Sequence, residues 1–394
     1  MRAHVFIVND ETFPIHLKYL FAGTGASYRE QESIWVDWHI GLLSDIKRVR
    51  SGDFVIFYIE GSRSTNGFYG IFKIANQNPV VFHTPYDSGF QPGLQNKAKL
   101  IYRTLLEPFE VYAEGVPEWE VLDKLPIYAT QILWSLIYRK LKGKRGCTPL
   151  LPWEAELLID MIRNKNNGKY IANDKFTGGF DWDKKCRRII LTPCRHSYPT
   201  QRSYTFNPLE AICYVQTHRK SFDAFYCKQK KFITFPQYLR RNRSYESYLQ
   251  LYFTENIGID SKISDIVGYN PIWFGNEVAC GIGMQKIDIL TICYNNKKNY
   301  RIIELKDEPV NENIIEAIEY YVNWASQQAG RHLEDAFAGN IQPVIVAPPH
   351  KPKNWQSVAK AFIQYNNKKI SLPIEYFEFT VNCGRSINFN KINY

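Results

Sequence analysis

Apolar positions along the chain fall into short β-branched runs and longer stripes at helical spacing. The first run, Val5-Phe6-Ile7-Val8, predicts a strand near the start of the chain. Residues 35–48 place Trp38, Leu42 and Ile46 four apart, which predicts a helix. Ser51-Gly52-Asp53 reads as a turn, and strands are expected over 54–59, 68–75 and 80–82, with a turn over 61–67. Short strands punctuated by Gly and Asn predict a small α+β barrel with helices. Residues 127–165 read as helical. One stripe is Ile132, Leu133, Leu136, Ile137 and Leu141; a second is Trp153, Leu157, Leu158, Met161 and Ile162, started by Pro152. The polar stretch 164–168 marks a domain boundary. Beyond it the pattern weakens, with strands expected only at 189–191 and 211–215, so 166–240 reads as a basic connecting region.

From residue 241 the pattern sharpens. Tyr245, Tyr248, Leu249, Tyr252 and Phe253 share one helical face over 244–253. Two β-branched runs, 287–293 and 300–306, flank the polar cluster Asn295-Asn296-Lys297-Lys298-Asn299 and predict a hairpin. A helix over 313–328 follows, with Ile314, Ile318, Tyr321 and Val322 on its apolar face. A buried strand over 342–347, a helix over 355–365 and a strand over 374–381 complete the pattern. Strands alternating with helices after a meander give a mixed α/β sheet with helices on its faces. The expected domains are 1–165, the connecting region 166–240, and 241–394.

The hairpin carries the most informative polar residues. Side chains alternate along a strand, so Glu304 and Lys306 share a face. With the turn centred on Lys297, Tyr294 pairs with Tyr300 and Asp288 falls opposite Lys306. Two carboxylates and an ammonium then meet on an apolar sheet, where charge is costly unless it is paired or bound to a metal. One account is a structural Lys–Asp pair. The other is a divalent-cation site: carboxylate oxygens are the hard ligands Mg²⁺ prefers, and the Lys would orient water or stabilise charge at a phosphate.

Asp288, Glu304 and Lys306 across a hairpin resemble the active-site motif of the PD-(D/E)XK nuclease superfamily, with Ile287 where that family usually has Pro. The resemblance spans about 241 to the C-terminus and implies a restriction-endonuclease-like fold and hydrolysis with Mg²⁺ or Mn²⁺. It also implies a further acid from the preceding helix. Glu246 matches it, and Glu255 is a second candidate. Asp288, Glu304 and Glu246 would be the metal ligands. A separate resemblance covers roughly residues 1–160. Arg50-Ser51-Gly52-Asp53-Phe54-Val55-Ile56-Phe57-Tyr58 and Gly67-Phe68-Tyr69-Gly70-Ile71-Phe72-Lys73-Ile74 are similar to the PUA-like superfamily, especially EVE and YTH domains. It implies a modified-base reader in which Trp35 helps cage the base, Trp38 or Tyr28 supplies a second aromatic, and Asn9 and Asp10 contact the base edge. Holding a flipped base takes such stacking and edge hydrogen bonds.

Charge adds a partner. The 394-residue chain has 49 basic and 39 acidic residues. Residues 184–243 alone hold 14 Lys and Arg against two acids, Glu210 and Asp223. The surplus is therefore local and predicts a phosphate-tracking surface on double-stranded DNA through Lys184, Lys185, Arg187, Arg188, Arg240, Arg241 and Arg243. The eight Cys lack any CxxC pair. Cys186, Cys194, His196 and Cys213 have spacings unlike common zinc modules. No signal-peptide pattern or apolar run of membrane-spanning length is present, so a cytoplasmic protein without membrane contact is expected. Together these features predict a modification-dependent restriction endonuclease, homodimeric if both strands are cut. The alternatives are a restriction endonuclease reading unmodified sequence, or a modified-RNA or tRNA binder with an RNA-directed or inactive nuclease domain.

Overall fold

The computed structural model describes residues 1–24, 36–61, 66–75, 81–82, 100, 102–123, 146–198, 208–209, 212–213, 216, 245–280, 285–295, 297–326, 338–350, 352–382 and 385–394. The chain divides into two compact units, one formed by Met1–Glu32 with Asp45–Thr205 and the other by Ser33–Ser44 with Phe206–Tyr394. Among the described residues no helix is long and apolar enough to cross a membrane.

In the first unit, β1 (Ala3–Asn9) is followed by α1 (Phe13–Tyr19) and β2 (Phe21–Thr24); the next helix, α2 (Val36–Lys47), belongs with the second unit up to Ser44. Strands β3 (Phe54–Glu60), β4 (Gly67–Ile74), β5 (Val81–Phe82), β6 (Tyr102–Pro108), β7 (Glu110–Val111) and β8 (Val116–Pro117) come next. Then follow α3 (Glu118–Asp123), β9 (Cys147–Leu150), α4 (Pro152–Lys165), β10 (Ala172–Asn173), β11 (Gly179–Asp183) and β12 (Arg188–Thr192). The main sheet runs β2-β6-β4-β3-β1-β9, with β5 on β6 and β8 on β4, and curls into a half-barrel. Strand β1 lies inside the edge strand β9, parallel to β3 and antiparallel to β9. Both its faces are covered, which explains its unbroken apolar run. Val5, Ile56, Phe68 and Ile71 pack with Leu158, Ile159 and Ile162 of α4 to form the core.

The break expected between the two helical stripes is a strand, β9, which precedes α4; the first stripe lies outside the described residues. Pro149 pairs with His4 at the end of the sheet order, and an edge strand tolerates a residue that cannot donate to the ladder. The compact unit extends past the polar stretch 164–168 to Thr205. Its extension is anchored by Trp182 of β11, whose ring packs edge-on to Phe13 at 5.1 Å and Tyr69 at 5.0 Å.

The second unit holds α5 (Glu246–Asn256), α6 (Ser264–Val267), β13 (Pro271–Ala279), β14 (Lys286–Asn295), β15 (Lys297–Leu305) and α7 (Ile314–Trp324). They are followed by β16 (Ile341–Ala347), α8 (Pro352–Asn367), β17 (Glu375–Asn382) and β18 (Ser386–Ile392). Its six strands lie in chain order. β15, β16 and β17 are parallel neighbours, and the other pairings are antiparallel. Each parallel step follows a helix, α7 or α8, because parallel neighbours require a crossover. Ile314, Ile318, Tyr321 and Val322 are buried, as their spacing predicts, and every residue of β16 is buried. Gly268 ends α6 at φ +87°, and a Cβ there would lie 2.4 Å from Cys293 Sγ, so only Gly fits. The strand expected at 211–215 is not found: Ile212 and Cys213 are helical. A short apolar run does not by itself distinguish strand from helix.

Candidate active site

The β14–β15 hairpin pairs Ile289 with Ile303, Ile292 with Tyr300 and Asn295 with Lys297. Its turn is centred one residue earlier than expected. Continued by one pair, this register sets Asp288 opposite Glu304 rather than Lys306. A centre shift of one moves each partner by two, so the same side chains remain on the same face. Asp288 and Glu304 are buried, at 8% and 5% exposure. β15 ends at Leu305, whose N–H donates to Asp288 Oδ2 at 2.8 Å. Just past the strand, Lys306 N–H donates to Val346 O at 2.9 Å. That bond fixes the root of a side chain whose Nζ donates to Glu304 Oε1 at 2.7 Å and to Leu305 O at 3.1 Å.

Glu246 completes the group from the first turn of α5. Its Oε2 lies 3.7 Å from Lys306 Nζ, and its side chain is 36% exposed. The helix is held in place by the predicted face: Tyr245, Tyr248, Leu249, Tyr252 and Phe253 are all buried.

Three carboxylates around one ammonium leave excess negative charge. Burial, reinforced by Glu304 and Glu246, pushes the Asp288 carboxyl well above the ordinary range, against the pull of Lys306 and the Leu305 N–H. Burial also raises Glu304, while Lys306 opposes it. Glu246 is pushed up to about 7, chiefly by burial. For Lys306 burial acts to lower the pKa, but Glu304, Asp288 and Glu246 outweigh it and hold the ammonium protonated. Glu304 Oε2 is buried with no hydrogen-bond partner. A buried carboxylate oxygen left so is costly, and a divalent cation would satisfy it. On this test Asp288 and Glu304 fit a hard cation, with Glu246 beside them and Lys306 within reach of both glutamates. Among the described residues no group of three or more His, Cys, Asp and Glu is arranged to hold a metal ion, and that covers the expected set Asp288, Glu304 and Glu246 as well as Cys186, Cys194, His196 and Cys213.

The chain matches no known protein family, no curated protein and no solved structure. The site therefore rests on its own geometry.

In the first unit the expected base-edge residues have local partners. Asn9 Oδ1 accepts from the N–H groups of Glu11 at 3.1 Å and Thr12 at 2.8 Å, shaping the turn into α1. Asp10 Oδ1 accepts from Trp182 Nε1 at 3.3 Å and from Arg187 Nη1 at 3.1 Å. Asp10 and Arg187 thus brace the β11–β12 hairpin against the end of β1. Lys184 and Lys185, in the turn of that hairpin, are exposed, as is Arg188, which lies 3.6 Å from Asp183. Tyr28, Trp35, Arg240, Arg241, Arg243 and the side chain of Trp38 lie outside the described residues.

Sequence reasoning missed two neighbours of the cluster, Gln250 and Glu277. Gln250 stands four residues after Glu246, so helical spacing alone puts both on one face. Glu277 lies on β13, for which the sequence offered no strand bounds.

Proposed function

We propose that the protein is a metal-dependent DNA endonuclease directed to modified DNA. The convergence of Asp288, Glu304, Lys306 and Glu246 at one end of the β14–β15 hairpin carries this reading. Mg²⁺ or Mn²⁺, when bound, would supply charge neutralisation at the phosphate and a more acidic water. Asp288 and Glu304 would hold such an ion. Lys306, kept protonated by its neighbours, orients the attacking water and stabilises charge on the phosphate oxygens. Glu246, 3.7 Å from Lys306, would be the third carboxylate beside the ion.

The element order of the second unit is a helix, a three-strand meander, a helix and a parallel strand. It supports a PD-(D/E)XK-type nuclease. The curled sheet of the first unit supports a PUA-like reader. Lys184 and Lys185 add a phosphate contact, and a homodimer would allow both strands to be cut. The deciding experiment incubates the full chain and Mg²⁺ with plasmids differing only in cytosine or adenine methylation, beside RNA of the same sequence. Cleavage confined to one methylated DNA, and abolished by Asp288→Ala, is the expected result. Equal cutting of unmethylated DNA removes the reader; cutting of RNA alone replaces the substrate.

A further inference from the structure

The β13–β14 ladder has a gap beside the cluster. It pairs Asn276 with Ile289 and Val278 with Ile287, but skips Glu277 and Asp288, which stand opposite each other between them. Glu277 has φ +50°, a left-handed conformation that non-glycine residues rarely adopt and that local structure must hold. The register is unchanged across the gap, so no residue is inserted; strained backbone of this kind clusters at active sites.

Gln250 fills the gap. Its side chain comes from α5, one turn after Glu246, and the residue is 5% exposed. Gln250 Nε2 donates to the main-chain oxygen of Asp288 at 3.3 Å and to Glu277 Oε1 at 3.2 Å. Gln250 Oε1 accepts from Asn276 Nδ2 at 3.3 Å, and Glu277 Oε2 accepts from Lys286 Nζ at 2.9 Å. One buried amide therefore ties α5, β13 and β14 together. Asp288 is gripped at two points, its carboxylate by the Leu305 N–H and its carbonyl by Gln250. The same amide holds Glu277, whose charge acts on both Glu246 and Glu304.

Building on the nuclease reading, we infer that Gln250 is a positioning residue: it fixes the Asp288 main chain and the Glu277 carboxylate so that the cation-holding face keeps its geometry. The role needs an amide that donates and accepts at once. Leu or Met in its place leaves Asn276, Asp288 and Glu277 each short of a partner. Glu keeps the shape and the acceptor but donates only when protonated.

The test compares wild type, Gln250→Leu, Gln250→Glu and Asp288→Ala as full chains. Mn²⁺ affinity is read by electron paramagnetic resonance, plasmid cleavage across pH 5.5–8.5, and folding by thermal melting. Outer-shell partners of metal ligands typically matter by about 10- to 100-fold. Gln250→Leu is expected to weaken Mn²⁺ binding and lower kcat by that factor, with little change in KM for DNA. The ratio of Gln250→Glu to wild-type activity should rise as pH falls, as the new carboxyl becomes a donor. If Gln250→Leu fails to fold, the isosteric Gln250→Glu still carries the test through that ratio. Wild-type Mn²⁺ affinity in either folded variant, or a flat ratio for Gln250→Glu, overturns the role while leaving the nuclease reading intact. If wild type binds Mn²⁺ no better than Asp288→Ala and cuts nothing, the nuclease reading falls and this inference falls with it.

Discussion

At the scale of single residues, the cluster owes its character to burial more than to any one contact. Asp288 and Glu304 lie buried where one peptide N–H and one ammonium face them, with the further carboxylates Glu246 and Glu277 close by. If they hold the ion, Asp288→Ala or Glu304→Ala should abolish Mg²⁺-dependent cleavage while DNA binding persists. Lys306→Ala should cut the rate severely but keep Mn²⁺ affinity, because the ammonium acts on water and phosphate rather than on the ion. Single-turnover cleavage beside a filter-binding assay separates these outcomes, and full activity in Asp288→Ala would sink the assignment. The raised Glu246 carboxyl gives a second, independent prediction. Its ordinary value is 4.5 and its folded value about 7, so the folded state binds the extra proton between those pH values. The associated stability is fully present below about 4.5 and is lost as pH rises through about 7. Glu246→Gln, which mimics the protonated form, should therefore raise the melting temperature at pH 8 without divalent cation and leave it nearly unchanged at pH 5. An equal gain at both pH values would show that the carboxyl is not strained by its surroundings.

Between residue and molecule, the β11–β12 hairpin is the element whose role was hardest to read. Its Trp182 is buried against Phe13 and Tyr69, and its indole N–H meets Asp10. Trp182→Ala should cost the first unit about 3–5 kcal/mol, the usual range for removing a large buried aromatic, read as a lower urea midpoint with an unchanged m-value. A loss under about 1 kcal/mol, typical of an exposed site, would mean that the hairpin is a loose appendage. The sequence disguised this element because its strands are short and its charged turn, Lys184 to Arg187, dominates the local composition. The opposite holds in the second unit. The runs 287–293 and 300–306 announced the hairpin, and the stripes on α5 and α7 announced their buried faces. Strand identity fixed which face Asp288, Glu304 and Lys306 share. Only the turn centre was misplaced, since five polar residues offer several equivalent bends. Gln250 was within reach of sequence reasoning through its spacing from Glu246, but its partner Glu277 was not. A left-handed residue inside a strand leaves no mark in the hydrophobic pattern.

Across the whole molecule, the buried titratable groups of the two units are mostly of opposite sense, with His350 of the second unit, lowered by burial, as the exception. In the first unit burial holds the His16 imidazole near a pKa of about 3, opposed by the Phe21 carbonyl and reinforced by Arg103; burial also lowers His4. A folded state that keeps these rings neutral binds fewer protons than the unfolded chain, so stability falls as pH drops through the unfolded value of 6.5. In the second unit the raised carboxyls of Asp288, Glu304 and Glu246 make the folded state bind more protons, so its stability falls as pH rises. Mild acid should therefore weaken one unit and strengthen the other. Between pH 7.5 and 5.5 His16 alone should cost the first unit about 1 kcal/mol, or roughly 2–4 °C for a unit of this size. Differential scanning calorimetry of the full chain should show two transitions moving in opposite directions over that interval. Mg²⁺ identifies them: at pH 7.5 it should raise only the transition of the second unit, because an ion held by ionised carboxylates stabilises the state that binds it. Asp288→Ala should remove that shift and leave the acid sensitivity of the first transition untouched. Two transitions that move together with pH, or a Mg²⁺ shift that survives Asp288→Ala, would show that the carboxylate cluster does not govern the second unit in this way.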